Sequence, residues 1–165
     1  MTQRSFDIAL QKGDIGEAII QKLLEGKGWS VYRPDTPGAH CFDMLAILNK
    51  AQCIAVDVKA KAAMKYYPAT GINQKHFEEY QRFSKKHLMP FWLFFVDENS
   101  CSIYGNTLDE LEKPRKVAGK QYPMKLTAGQ TPLRVWPLDA MKVVADITPA
   151  QAASLKKLSQ RSYDY

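Results

Sequence analysis

Three acidic residues and one lysine stand where the surrounding sequence is apolar. Glu17 lies in a segment rich in isoleucine and leucine, and Asp43 begins an apolar run that continues to residue 48. Asp57 and Lys59 alternate with valine and alanine. A charged residue at a position where the pattern predicts an apolar one is informative, because burying an uncompensated charge is costly. These four side chains are therefore the first candidates for chemistry.

Carboxylates on neighbouring strands can share a divalent cation. Hard oxygen ligands suit Mg²⁺, which keeps several waters and binds through one or two carboxylates. Two adjacent carboxylates, such as Asp43 and Asp57, repel each other unless a cation lies between them. A neighbouring ammonium such as Lys59 can orient or deprotonate a water, or neutralise charge that builds on a phosphoryl oxygen. A further carboxylate such as Glu17 can hold metal-bound water or a second cation.

Each of these residues also has a purely structural interpretation. Glu17 can interact with the positive end of its own helix. Asp43 can cap the start of a strand. Asp57 and Lys59 can belong to the solvated face of a half-exposed strand, in which case the chain is an unrelated α/β protein with surface charges at these positions. Two acids on one predicted hairpin, with a lysine and a helical glutamate nearby, favour the chemical interpretation over these three separate ones.

A helix is predicted from about Asp14 to Glu25, because apolar residues recur at i, i+3, i+4 and i+8 from Ile15 onwards. Glu17 is the first residue of a second row along this helix, at i, i+3 and i+7, whose other members, Ile20 and Leu24, are apolar. Gly13 and Gly16 precede it, so the turn above its side chain is expected to be bare and open to a bulky ligand.

Two apolar runs, at 42–48 and 53–60, flank a short polar connection and predict a β-hairpin. If Leu48 paired with Cys53, Asp43 would lie opposite Val58. Its side chain would then project from the face of the sheet that does not carry Asp57 and Lys59. Asp43 must instead align with Asp57 or Lys59. This condition predicts a three-residue turn or a β-bulge between the end of the first run and Asp57.

The remaining elements predict an α/β fold with a mixed central β-sheet flanked by helices. They are a short strand at 29–33, a turn-rich loop at 34–38, a loop through 66–71, a helix that Asn73 caps and that runs to about Lys86 with Phe77, Tyr80 and Phe83 inside, a doubly covered strand at 91–96, a strand at 101–104, a basic loop at 113–130, late strands at 134–136 and 141–147, and a final helix from Thr148-Pro149. Residues 1–165 are expected to form a single domain, with a core at about 10–105 and C-terminal strands and helix at 106–165.

The composition of the 165 residues excludes several classes of protein. Lysine and arginine number 23 against 17 acidic residues, so the net charge of +6 is compatible with a nucleic-acid partner. The longest apolar run, at 91–96, is far shorter than the ~20 residues that span a bilayer. The first residues lack the apolar stretch of a signal peptide. Three widely spaced cysteines without a CxxC pair predict free thiols and a cytoplasmic protein.

The chain resembles the PD-(D/E)xK nuclease superfamily, which has the restriction-endonuclease-like fold. The likeness is carried by Gly13–Glu17 in the first helix, by Phe42–Ala46 in one strand and by Val56–Lys59 in the next. It covers roughly residues 10 to 105. It is closest in style to Holliday-junction resolvases and related phage nucleases, in which a helical glutamate precedes the acidic strand pair.

The resemblance implies a role for each matching residue. Asp43, Asp57 and the backbone carbonyl of Val58 would bind Mg²⁺, for which Mn²⁺ is expected to substitute. Lys59 would help to activate the attacking water, and Glu17 would support the metal directly or through water. Gln74, at the start of the following helix, would lie near the scissile phosphate. The products would carry a 5′-phosphate and a 3′-hydroxyl.

These implications predict a metal-dependent DNA endonuclease that cuts branched DNA and acts as a homodimer or larger assembly. The expected phosphate contacts outside the acidic residues are Lys61, Lys65, Lys75, Lys116 and Lys120. A site-specific restriction or homing endonuclease is the alternative within the same class. A non-catalytic nucleic-acid-binding domain on the same fold is the alternative from another class.

Overall fold

The computed structural model describes residues 3–35, 40–64, 68–128 and 131–161. Its helices are α1 (Gln3–Gly26), α2 (Gln74–His87), α3 (Leu108–Leu111) and α4 (Pro149–Arg161), and a 3₁₀ turn covers Leu138–Ala140. Its strands are β1 (Ser30–Tyr32), β2 (Met44–Asn49), β3 (Gln52–Ala60), β4 (Ala69–Asn73), β5 (Phe91–Asp97), β6 (Ser102–Thr107), β7 (Arg115–Val117), β8 (Lys120–Tyr122), β9 (Met124–Ala128), β10 (Thr131–Pro137) and β11 (Lys142–Asp146). Among the helices of these ranges, none is long and apolar enough to cross a membrane.

A six-stranded mixed sheet forms the centre of the fold, as the sequence predicts. Its strand order is β1-β2-β3-β5-β6-β11, with β3 and β5 parallel and the other neighbours antiparallel. The predicted doubly covered strand is β5, whose residues from Leu93 to Asp97 are all buried. Two smaller sheets lie outside it, one of order β4-β10-β9 and one formed by β7 and β8.

Helices cover both faces of the large sheet. On one face, α1 and α4 pack over Ile54, Val56 and Val58 of β3. On the other face, Phe77 and Tyr80 of α2 pack with β5, and α3 adds two leucines to the same apolar cluster. Because side chains alternate along a strand, Asp57 and Lys59 project toward the α2 face.

Helix α1 begins eleven residues before the predicted start at Asp14. Gly13 is therefore inside the helix, and a Cβ there would meet nothing within 4 Å. Gly16 was expected to leave an open turn, and this was wrong. A Cβ on Gly16 would lie 2.8 Å from the Cβ of Ala60, so the missing side chain lets α1 lie close against β3.

The predicted irregularity in the β2–β3 hairpin is confirmed. Asn49 pairs with Gln52, but Ile47 pairs with Cys53, so Leu48 is an extra residue that forms a bulge. The shifted register continues to the pairing of Met44 with Val56. Asp43 directly precedes this paired stretch, and its N–H still bonds to the carbonyl of Val56, the residue before Asp57.

Two segments predicted as loops contain strands. Residues 69–71 begin β4, and most of 113–130 forms β7, β8 and β9. The glycines in these segments suggested loops, but they have other roles. A Cβ on Gly71 would collide with the carbonyl oxygen of Arg134 on the paired strand, and Gly119 supplies a positive φ in the turn of the β7–β8 hairpin. Parts of the predicted loops at 36–38 and 66–67 lie outside the described residues.

The predicted starts of α2 and α4 are confirmed by their caps. The side chain of Asn73 accepts a hydrogen bond from the backbone N–H of Lys75 and so fixes the first turn of α2. At α4, Thr148 and Gln151 form a reciprocal capping box, in which the hydroxyl accepts from the N–H of Gln151 at 3.2 Å and the amide oxygen accepts from the N–H of Thr148 at 2.8 Å.

Candidate active site

Asp57 is a buried carboxylate held by two side chains. It is 3% exposed in the middle of β3. The ammonium of Lys59 lies 2.8 Å from each carboxylate oxygen, and the hydroxyl of Tyr80 donates to Oδ1 at 2.8 Å. Within the described residues, Oδ2 has no partner of hydrogen-bonding geometry. Asp57 is therefore part of the sheet interior, and the solvated charged face that its spacing also allowed is wrong.

Asp43 lies directly before β2 and is fixed by the backbone of β3. Its N–H donates to the carbonyl of Val56 at 2.9 Å, and its Oδ2 accepts from the N–H of Val58 at 2.7 Å. The Asp43 carboxylate thus accepts the hydrogen bond from Val58 that a backbone carbonyl would accept if the pairing of β2 and β3 continued. This is the capping role that the sequence allowed, and it also aims the carboxylate at the end of β3 that carries Asp57.

Glu17 approaches from α1, on the other face of the sheet, and is paired with Arg33. The distance between Glu17 Oε2 and Arg33 Nη1 is 3.3 Å, and the Arg33 side chain is 38% exposed. A polar cavity of about 240 Å³ is lined by Glu17, Arg33 and Asp43, together with Pro34, His40 and Phe42. The helical glutamate and the first strand aspartate therefore line the same opening.

The electrostatics of these carboxylates are coupled. Burial, together with the negative charge of Asp57, raises the pKa of Asp43 to about 6, although Lys59 acts against this. Burial also raises the pKa of Asp57, against the opposing effects of Lys59 and Tyr80. The pKa of Glu17 is raised by burial and then by Asp43. Each acid is thus destabilised in its charged form by burial and by at least one other acid of the group.

A second cavity, of about 600 Å³, has a different character. It lies at the other end of β3, where it is lined by apolar residues such as Leu24, Trp92 and Val143, with Lys27 and Lys142 as its charged residues. No carboxylate lines it, whereas Glu17 and Asp43 line the smaller polar cavity.

The donors at this site suit a hard divalent cation. Asp43 and Asp57 supply carboxylate oxygens from neighbouring segments of the hairpin, and Asp57 Oδ2 is a buried acceptor that the Lys59 ammonium approaches to 2.8 Å without hydrogen-bonding geometry. In residues 3–35, 40–64, 68–128 and 131–161, no three histidine, cysteine or acidic side chains are grouped closely enough to bind one ion together. The set that fits is the aspartate pair, with waters completing the shell as Mg²⁺ prefers.

The other predicted residues are distributed around this centre. Val58 is buried in β3, between Asp57 and Lys59. Gln74 is the first residue of α2, where its amide donates to Glu78 at 2.9 Å and its Oε1 is buried without a hydrogen-bond partner in the described residues. Their roles remain predictions.

Of the predicted phosphate contacts, Lys61 is the one next to the acids. Its ammonium donates to the carbonyl of Gly71 and lies 5.7 Å from the ring centroid of Phe95. Burial, followed by the charge of Lys59, lowers its pKa to about 8. Lys75 and Lys116 are exposed and Lys120 is half-buried, whereas Lys65 lies outside the described residues.

Two residues of the site were not predicted from the sequence. Tyr80 was expected only inside α2, and its contact with Asp57 depends on how that helix packs on the sheet. Arg33 lies just after β1 and gave no pattern of its own. A buried tyrosine hydroxyl needs a polar partner. The predicted burial of Tyr80 could therefore have indicated such a partner, but the sequence does not identify it as Asp57.

Comparison with solved structures finds the same fold in the Holliday junction resolvase Hjc of the archaeal hyperthermophile Archaeoglobus fulgidus. The match has a TM-score of 0.54 at 12% identity and covers 85% of this chain and 99% of the resolvase. A nuclease from a fusselovirus matches with a TM-score of 0.46 at 14% identity, over 88% of this chain and 89% of that one. No family model and no curated protein matches the chain. The restriction-endonuclease-like fold expected from the sequence is confirmed.

Proposed function

We propose that this protein is a metal-dependent DNA endonuclease that hydrolyses phosphodiester bonds in branched DNA. The observation that carries the proposal is the buried Asp57, with Lys59 at 2.8 Å and with Asp43 hydrogen-bonded to Val56 and Val58, the residues on either side of Asp57. The fold is that of a protein described as a Holliday junction resolvase. A non-catalytic domain would gain nothing from two neighbouring carboxylates, because each raises the cost of ionising the other.

The chain's own residues prepare the site for this reaction. Tyr80 and Lys59 fix the carboxylate of Asp57, and the N–H of Val58 fixes that of Asp43, so the acceptors are oriented before substrate arrives. Mg²⁺ bound by Asp43, Asp57 and the Val58 carbonyl would lower the pKa of a water and offset charge on the phosphate. Lys59, 28% exposed, is placed to orient that water or to neutralise a phosphoryl oxygen.

The proposed reaction is an in-line displacement at phosphorus. The oxygen of a water forms the new P–O bond, the P–O3′ bond breaks, and the proton lost by the water is balanced by one taken up at the 3′ oxygen. The products carry a 5′-phosphate and a 3′-hydroxyl. Glu17 has a supporting role at the opposite wall of the cavity, and Gln74 is proposed to contact the phosphate from the start of α2.

The proposed DNA surface extends from the end of β3 to the β7–β8 hairpin. Val117 and Tyr122 of that hairpin pack in one apolar cluster with Met64 and Ala69, which follow β3 closely in the chain. The exposed Lys116 is therefore anchored beside the segment that leaves the acids. With Lys61, Lys65, Lys75 and Lys120 it forms the proposed set of phosphate contacts, which would recognise backbone and shape rather than base sequence.

The test is cleavage of a panel of DNA substrates with Mg²⁺. Linear, nicked, flap, splayed and four-way DNA are compared at equal concentration, with Lys59→Ala as the inactive control. The proposal predicts cleavage of the branched substrates above the linear duplex. Equal cleavage of a linear duplex at fixed sequences would support a restriction-like enzyme instead, and no cleavage of any substrate would refute the proposed activity.

We also propose that the protein acts as a homodimer or larger assembly, because a branched substrate presents two strands to be cut. Sedimentation equilibrium of the full chain measures this directly. A monomer at all concentrations, with and without four-way DNA, would contradict it.

A further inference from the structure

The ion pair between Glu17 and Arg33 places a permanent positive charge among the acids of the site. Arg33 Nη1 lies 3.3 Å from Glu17 Oε2, and the two side chains line the same polar cavity as Asp43. The guanidinium keeps its charge at all relevant pH values. It is a second cation beside the acids, in addition to Lys59, which is paired with Asp57 at 2.8 Å.

The charges of this group do not cancel. Glu17, Asp43 and Asp57 contribute three negative charges when ionised, and Arg33 and Lys59 contribute two positive ones. Lys59 is the closely held partner, with a 28% exposed side chain against a 4% exposed carboxylate. Arg33 is the loosely held one, since its side chain is 38% exposed and that of Glu17 is 23% exposed. A half-exposed ion pair is weak and opens at little cost.

A divalent cation held by Asp43 and Asp57 would repel the Arg33 guanidinium, whose charge already acts on Asp43. Two cations that bind one group of acids oppose each other, because each raises the local positive potential. Once a divalent cation is present, the group carries a net positive charge that a phosphate of DNA would return to neutrality. Arg33 is well suited to that phosphate, because its planar fork of N–H donors matches phosphate oxygens.

We propose that Arg33 is an exchangeable counter-ion, which holds Glu17 in the metal-free protein and moves to a DNA phosphate when a divalent cation binds. This inference rests on the proposed function, because it takes DNA as the substrate. Arg33 is a positioning residue for Glu17 in the first state and a phosphate contact in the second. Lys59 stays paired with Asp57 in both states.

The first test is calorimetric titration of the full protein with Mn²⁺, without DNA. Arg33→Ala is expected to bind Mn²⁺ about fivefold more tightly than the wild type, because a competing cation is removed. Arg33→Lys keeps a cation in place and is expected to stay near the wild-type affinity. Lys22→Ala, which removes an exposed charge from the same helix as Glu17, is the matched control and is expected to change the affinity little. Unchanged or weaker binding by Arg33→Ala overturns the proposal.

The second test measures DNA binding with Mn²⁺ in a Lys59→Ala background, so that the substrate is not cut. Arg33→Ala is expected to lower the slope of log affinity against log salt by about one, and to leave the slope unchanged in EDTA. An equal loss in both conditions overturns the exchange. The two proposals fail separately: a wild type that shows no Mg²⁺-dependent cleavage refutes the nuclease, whereas the Mn²⁺ titration and the salt slopes, neither of which needs cleavage, decide the counter-ion role.

Discussion

At the scale of single residues, the site combines side chains that oppose one another's ionisation. Asp43 is hydrogen-bonded to the backbone of β3 on both sides of Asp57, and burial penalises the charge on both acids. Their positions could be predicted from the sequence, because an acid inside an apolar run is a strong local signal. Tyr80 and Arg33 could not be predicted as site residues, because their contacts with Asp57 and Glu17 depend on packing between segments distant in the chain.

The raised pKa of Asp43 makes the stability of the metal-free protein depend on pH. The pKa of Asp43 is about 6 in the folded state against its ordinary value of 3.8, so the folded protein binds more protons than the unfolded chain between these two pH values. The free energy of unfolding is therefore expected to rise as pH falls from 7 toward 4. Urea unfolding of the wild type and of Asp43→Asn in EDTA measures this contribution as the difference between the two curves. An equal pH dependence in both proteins would contradict it.

Tyr80 is expected to act on the reaction through Asp57. Tyr80→Phe keeps the stacking on Phe91, whose ring centroid is 4.6 Å away, but removes the hydrogen bond to Asp57 Oδ1. We expect a loss of about 1 kcal/mol in the free energy of unfolding and a fall of about tenfold in the cleavage rate, since the carboxylate loses one of its two orienting donors. Stopped time-course cleavage and urea unfolding check the two effects, and a variant as active as the wild type would refute the positioning role.

At the scale of elements, two local irregularities place the acids. The bulge at Leu48 sets the register that ends with Met44 opposite Val56, next to the two aspartates, and the close approach of α1 to β3 at Gly16 brings Glu17 over the end of the sheet. The need for the bulge could be derived from which face each residue must occupy. The need for Gly16 could not, because a glycine in a helix has the same local pattern whether it faces solvent or a strand.

Gly16→Ala is expected to move α1 away from β3. The new Cβ would lie 2.8 Å from the Cβ of Ala60, which is fixed to the backbone and has no free rotation to relieve the contact. We expect a loss of about 1–3 kcal/mol in the free energy of unfolding and lower cleavage activity. Gly13→Ala is the matched control, because nothing lies within 4 Å of its new Cβ. That variant is expected to gain up to about 1 kcal/mol from helix propensity, and equal effects of the two substitutions would refute the packing role.

At the scale of the whole molecule, a mixed sheet carries the acids at its centre and smaller sheets carry much of the basic charge. The central sheet could be predicted from apolar runs and caps that lie close together in the sequence. The sheet of β4, β10 and β9 was missed because it pairs segments about sixty residues apart, such as Gly71 with Val135. The pattern of apolar and polar residues within one segment does not indicate which distant segment it pairs with.

The basic hairpin gives a prediction on DNA binding. Lys116→Gln is expected to lower the slope of log affinity against log salt by about one, because one phosphate contact is lost. Lys22→Gln, on the exposed side of α1, is expected to leave the slope unchanged. Fluorescence anisotropy with a four-way DNA in EDTA measures both. Equal slopes for the wild type and Lys116→Gln would exclude this lysine from the DNA surface.

The central claim is that Asp57 belongs to a metal-dependent cleavage centre. The most direct measurement is nicking of supercoiled plasmid in Mg²⁺ and in EDTA by the wild type, by Asp57→Asn and by Asp109→Asn, whose exposed acid is the control. Circular dichroism confirms that each variant is folded. Nicking by the wild type and the control in Mg²⁺ alone, with none by Asp57→Asn, is the predicted result. Full Mg²⁺-dependent nicking by a folded Asp57→Asn would contradict the account.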